Sequence, residues 1–189
     1  MKMKIESYLD SVSDNFKNLK IASSNIENAA KTTINALQNN NKIIFCGNGG
    51  SAADSQHLAA ELMGRYKLDR APLPAIAITV DTSALTAIAN DYGYENIFSR
   101  QLNGIGVKGD VLFAISTSGK SKSIIKAIKT AKDIGMQVIS LTGSTIGEMN
   151  EMSDICINTP SIETNHIQEM HITIGQLICG LVEEELFNK

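Results

Sequence analysis

The sequence lacks any surplus of positive charge. Seventeen Lys and Arg stand against 20 Asp and Glu, a formal net charge of -3, which excludes the broad electrostatic footprint of a nucleic-acid or anionic-membrane binder. Cysteine is scarce as well. Cys46, Cys156 and Cys179 are odd in number and widely spaced, which excludes a small-domain disulfide framework and a paired C-x-x-C zinc site and leaves them as reduced core residues. No long apolar run is present: stretches such as Ala75-Ile76-Ala77-Ile78 fall far short of the ~20 residues that a membrane-spanning helix requires. Residues 1–10 set Lys2 and Lys4 beside Glu6 and Asp10 with no apolar stretch, so neither a signal peptide nor an anchor is expected, and the location expected is cytoplasmic. Low-complexity tracts, internal repeats and Gly/Pro-rich linkers are missing too. The 189 residues, 43% of them hydrophobic, are therefore expected to form one domain with a small molecule as its partner.

What is present alternates. Ile5, Leu9, Val12, Phe16 and Leu19, then Ile26, Ala30, Ile34 and Leu37, recur at helical spacing and predict one long or two consecutive amphipathic helices over 1–40. An α/β core follows over 42–160. Its predicted strands cover 42–47, 74–80, 110–116, 137–143 and 154–159, with helices near 51–64, 82–90, 95–105 and 121–134 and a last helix over 163–187. Strands separated by helices make a five-stranded parallel sheet. Their continuous apolar runs, such as Ile43-Ile44-Phe45 and Val111-Leu112-Phe113-Ala114-Ile115, require helices on both faces, a three-layer α/β/α sandwich with an N-terminal helical extension. Function then belongs at the carboxyl ends of the strands. The last helix mixes Gln168, His171 and Gln176 with apolar residues on more than one face, which suits burial between subunits of a homo-oligomer.

Two loops suit an anionic ligand. The first strand ends in Gly47-Asn48-Gly49-Gly50-Ser51 and runs directly into a helix, which presents flexible backbone and unpaired N–H groups. With Ala52 the run also satisfies G-x-G-x-x-A, the dinucleotide pattern; but Asp81, its candidate ribose acid, lies more than thirty residues beyond Gly47 where ~20 is typical. The second loop, Ser116-Thr117-Ser118-Gly119-Lys120-Ser121, offers four hydroxyls at a helix N-terminus, a set suited to a phosphate monoester. Its ending resembles a Walker A loop, yet Ala114 stands where the first glycine is needed. Ser118 or Ser121 could instead merely cap the helix.

On the helix after the first loop, His57 and Glu61 are four apart and share a face, with Asp54 one turn earlier. Such a pair is either an ordinary surface contact or acid–base and metal chemistry, and the neighbouring loops favour the second. Asn90 and Asp91 could hydrogen-bond sugar hydroxyls or form an Asx turn; Gln168 and His171, three apart, could face one pocket.

Taken together, Cys46-Gly47-Asn48-Gly49-Gly50-Ser51, Gln56-His57-Leu58-Ala59-Ala60-Glu61-Leu62, Gly64-Arg65-Tyr66, Asn90-Asp91-Tyr92-Gly93, Ile115-Ser116-Thr117-Ser118-Gly119-Lys120-Ser121 and Ile167-Gln168-Glu169-Met170-His171 resemble the phosphoheptose isomerases of the sugar isomerase (SIS) domain families, over nearly the whole chain. The resemblance implies a flavodoxin-like SIS domain and a cytoplasmic tetramer. It implies conversion of sedoheptulose 7-phosphate to D-glycero-D-manno-heptose 7-phosphate, the first step toward activated heptoses of lipopolysaccharide, capsule or S-layer glycans. Asn48, Gly49, Gly50, Ser51, Glu61, Asn90, Asp91, Ser116, Thr117, Ser118, Ser121 and Gln168 would contact the sugar phosphate, with the serine loop on the phosphate. Glu61 would be the base, and a zinc ion would be held by His57, Glu61, Gln168 and the residue at 176. There the sequence departs from the family. The histidine that serves the family as zinc ligand and acid partner is Gln176, which cannot titrate near neutral pH, and Asn165 replaces a family aspartate. The alternative implied is a non-catalytic SIS module that binds a sugar phosphate or a protein, as in a relative that binds a bacterial replication initiator.

Overall fold

The computed structural model describes residues 1–187; the single-domain expectation for 1–189 includes two residues outside that range. Five parallel strands, β1 (Ile43–Gly47), β2 (Ala75–Ala77), β3 (Val111–Ile115), β4 (Gln137–Thr142) and β5 (Ile155–Asn158), lie in the order β2-β1-β3-β4-β5. This is the flavodoxin-like order, whose switch point falls between β1 and β3. The register pairs Ile43 with Val111 and Gly47 with Ile115, so the loops leaving β1 and β3 emerge side by side.

The helices are α1 (Lys2–Asn18), α2 (Ser23–Gln38), α3 (Gly50–Met63), α4 (Thr82–Tyr92), α5 (Ile97–Ile105), α6 (Lys122–Ile134), α7 (Glu148–Met152) and α8 (Thr164–Phe187). A 3-10 turn at Leu19–Ala22 separates α1 from α2. Strand alternation divides the core in two. Ile43, Phe45, Val111, Phe113, Ile139 and Leu141 pack with α2, α3 and α8, whereas Ile44, Cys46, Leu112, Ala114 and Val138 pack with α5 and α6. The Phe45 and Phe113 rings stack at 5.0 Å between centroids on the first side. Every residue of β1 and β3 is buried, as both-sided coverage demands, and each large side chain there contributes roughly 1.5–3 kcal/mol of burial. Cys46 and Cys179 are buried and Cys156 half-buried, all three as free thiols.

Two expectations need adjustment. β2 was expected over 74–80, but only Ala75–Ala77 pair: β2 is an edge strand with β1 as its one neighbour, and the chain turns after Ile78 toward α4. The short α7 was not expected. Its five residues span little more than one turn, started by Gly147 N–H donating to Asn150 Oδ1 at 2.9 Å, too short for a periodic apolar signal.

Candidate active site

α3 starts where β1 ends, and the turn between them tolerates little but glycine. Gly49 has φ +57, and a Cβ on Gly50 would lie 2.5 Å from Nε2 of Gln168. The glycines thus let the Gln168 carboxamide, presented by α8, lie directly against the β1 loop. Asn48 crosses to the β3 loop: its Nδ2 donates to Ser121 Oγ and Ser123 Oγ, both at 3.0 Å, and its Oδ1 accepts from Tyr94 O–H at 2.8 Å. Lys120 N–H donates to Ser118 Oγ at 3.2 Å, and Gly119 takes φ +63 with Thr142 close beneath it. Asn48, Ser51, Ile115, Ser116, Thr117, Ser118, Ser121 and Gln168 enclose a cavity of about 160 Å³. The structure therefore gathers both loops and Gln168 around one small polar hollow at the strands' carboxyl ends.

The other end of α3 carries a second cluster. His57 Nε2 and Glu61 Oε1 are 2.9 Å apart, and the Gln176 Nε2, from α8, lies 3.4 Å from the same imidazole nitrogen. The side chains are partly open to solvent, His57 51% and Glu61 18%. Asp54, one turn earlier, has a buried Oδ2 with no hydrogen-bond partner among the described residues; burial pushes its pKa up to about 6, against the pull of His57. From Ser51 to Glu61 the helix advances about 15 Å, and from Gln168 to Gln176 α8 advances about 12 Å. One chain thus holds a hydroxyl-lined hollow at one end of the α3–α8 pair and a carboxylate–imidazole–carboxamide cluster at the other.

Some residues lie elsewhere. Asn90 and Asp91 hydrogen-bond each other at 2.8 Å on the exposed end of α4 and do not line the serine cavity. His171 does not face the pocket: it is 0% exposed, neither ring nitrogen has a partner among the described residues, and burial pulls its pKa down to about 4 despite the nearby Thr142 carbonyl. Asp81 caps α4, accepting from Ala84 N–H at 2.9 Å, which gives it an ordinary helix-start role in place of a ribose contact. Sequence reasoning missed Tyr94, which props Asn48; a lone exposed tyrosine gives no periodic or motif signal.

The four positions expected to hold zinc offer one imidazole, one carboxylate and two carboxamides. His57 and Glu61 bond each other, and Gln168 is engaged at the serine cavity. Among the described residues no three His, Cys, Asp or Glu side chains gather as a metal-holding group. Carboxamides are weak zinc donors, so this set does not fit a resident tetrahedral zinc.

The SIS domain family model matches residues 7–143. A phosphoheptose isomerase of Akkermansia muciniphila is 55% identical over 176 residues, 93% of each chain, and one of Rhodospirillum rubrum is 50% identical over 98% of this chain and 99% of its own. The structure of the phosphoheptose isomerase of Neisseria gonorrhoeae superimposes with a TM-score of 0.92 at 40% identity, covering 97% of this chain and 98% of that one.

Proposed function

Because the chain belongs to the phosphoheptose isomerase family of SIS domains, we propose that it interconverts sedoheptulose 7-phosphate and D-glycero-D-manno-heptose 7-phosphate, with Glu61 as the base. The observation that carries this reading is the span of α3: its first turn closes the serine cavity, and its last full turn presents Glu61 hydrogen-bonded to His57 beside Gln176. In a 7-phosphate the reacting C1 and C2 lie at the far end of the sugar from the phosphate, the same sense in which the two clusters are separated.

The serine loop and Ser51 take the phosphate through hydroxyl and N–H donors. Gln168 reaches the sugar beside them. Asn90 and Asp91, exposed at the end of α4, are further candidates for its hydroxyls. Glu61 removes a C1 proton, the C1–C2 double bond of an enediol forms as the C2 carbonyl electrons move onto oxygen, and Glu61 returns a proton to C2. Gln176 cannot titrate, but its N–H can donate to the oxyanion developing at C2. The hydroxyl proton passes from O1 to O2 through water. Since the donor set fits zinc poorly, no step is assigned to a metal.

The product is proposed to enter activated-heptose synthesis for surface glycans in the cytoplasm, where sugar phosphates are made. Among the described residues no helix is long and apolar enough to cross a membrane. A homo-oligomer is proposed because α1 buries none of its residues and leaves Ile5 and Leu9 more than half exposed, an apolar edge that further copies would cover, and four copies are proposed from the family resemblance alone.

The test is turnover of sedoheptulose 7-phosphate by the parent chain and by Glu61→Gln, with a loss of about 10²–10⁴-fold expected in the variant. Gln176 in place of a titratable group favours one competing reading, a sugar-phosphate-binding module without catalysis. Substrate binding by a parent chain that never turns over would establish that reading instead.

A further inference from the structure

Glu183 lies on the buried stripe of α8, 2% exposed, where a carboxylate needs strong partners. It has four. The backbone N–H groups of Tyr66, Lys67 and Leu68 donate to it at 3.1, 2.7 and 2.7 Å, and Arg70 Nε donates at 3.0 Å. Burial opposes the charge, yet these donors outweigh it and hold the carboxyl below its ordinary range. The Arg70 side chain is as buried as its partner, 1% exposed, and spends its remaining donors on the end of α3 and the loop that follows it. Nη2 donates to the Glu61 carbonyl at 2.8 Å, and Nη1 to the carbonyls of Leu62 and Ala71 at 2.8 and 3.0 Å. The Glu61 and Leu62 carbonyls lie in the last turn of α3, where a helix C-terminus leaves carbonyls without intrahelical partners and a cation also suits the helix dipole, whereas Ala71 lies in the loop beyond.

We infer that the Arg70–Glu183 pair is the positioning device of the isomerase site: it locks the last turn of α3, and with it Glu61, to the helix that presents Gln176. This rests on Glu61 being the base. The pair touches neither the serine cavity nor the His57 and Glu61 side chains, so neither residue is catalytic. Its reach is through backbone. The Glu61 carbonyl is bonded on one side of the clamp, while Glu183 sits two turns beyond Gln176 on α8. A lysine at position 70 keeps the charge and one bond to Glu183 but cannot also span the carbonyls of 61 and 62, because only the guanidinium has the planar fork. Phosphate capture, at the opposite end of α3, is left intact.

Two measurements test it together. In the parent chain, hydrogen exchange at the amides of Tyr66, Lys67 and Leu68 is expected to be slowed about 10²-fold or more although they lie outside helix and strand. Fast exchange there overturns the clamp whatever the enzyme does, and needs no variant to fold. In Arg70→Lys, kcat is expected to fall about 10²-fold, the scale of an ångström-sized misplacement, with KM within about threefold and faster exchange confined to the end of α3 and residues 64–70. Glu183→Gln should repeat the pattern if Arg70→Lys does not fold. An unchanged kcat in a folded variant, or a change carried by KM alone, overturns the positioning role. A silent parent with slow amides removes the isomerase reading and the catalytic meaning of the clamp, while the structural lock stands.

Discussion

Asp54 shows what one helix face costs its residues. It shares that face with His57 and Glu61, its Oδ2 is buried without a partner among the described residues, and its pKa rises from 3.8 to about 6. The sign follows from linkage: a carboxyl protonated more readily when folded adds stability below its unfolded pKa, and that stability is lost as pH rises from about 4 through about 6. Asp54→Asn should therefore melt higher than the parent above pH 6, by about 1 kcal/mol after allowance for partial solvent exposure, and lose that advantage near pH 4. Thermal melts between pH 4 and 8 decide it; an advantage that does not change with pH would mean that Asp54 is not the titrating group. Gln176 is the other telling residue. Its identity could be read directly, but its position 3.4 Å from His57 was implied only by the family resemblance, because 119 residues separate them and the packing of α3 on α8 joins them.

That packing is an element-scale property, and Gly175 sets it. A Cβ at Gly175 would lie 2.3 Å from Leu58 Cδ1, and Leu58 is fully buried with nowhere to move. Gly175→Ala should then cost about 1–3 kcal/mol and part α3 from α8, visible as a lower melting temperature and as weaker amide protection in both helices. A variant as stable as the parent would show that the helices can slide apart freely. At this scale the sequence was largely legible. All five strands and the helices other than α7 carried periodic or continuous apolar signals, and the serine loop and glycine turn announced the hollow they line. Arg70 and Glu183 were not recognised, although one signal existed: Glu183 continues the buried series Ile174, Gly175, Ile178, Cys179 and Val182 of α8. A charge on a core stripe requires a partner, but nothing local indicates which one.

At the scale of the whole molecule, two surfaces remain open in a single chain. α1 makes its side-chain contact with α8 through Tyr8, whose O–H meets Glu169 and accepts from Asn165 Nδ2 at 3.0 Å, while Ile5 and Leu9 stay exposed. Leu177 on α8 is likewise 48% exposed, next to Gln176. Light scattering is expected to give the mass of four chains; a stable single-chain mass would require these faces to remain in water. Association is an expectation from the mixed faces of α8, whereas the number of copies comes only from the family resemblance. The metal divides along the same line. Family resemblance implies zinc, but the donors in this chain do not suit it, so the proposed reaction has Glu61 act with protein and water alone.

Proton exchange tests that chemistry most directly. Sedoheptulose 7-phosphate in deuterated water, with a chelator present, should exchange a C1 proton and yield the aldose in the parent chain, and Glu61→Gln should do neither. Exchange that disappears on chelation and returns with zinc would contradict the metal-free assignment, and an exchange rate unaffected by Glu61→Gln would contradict the base itself.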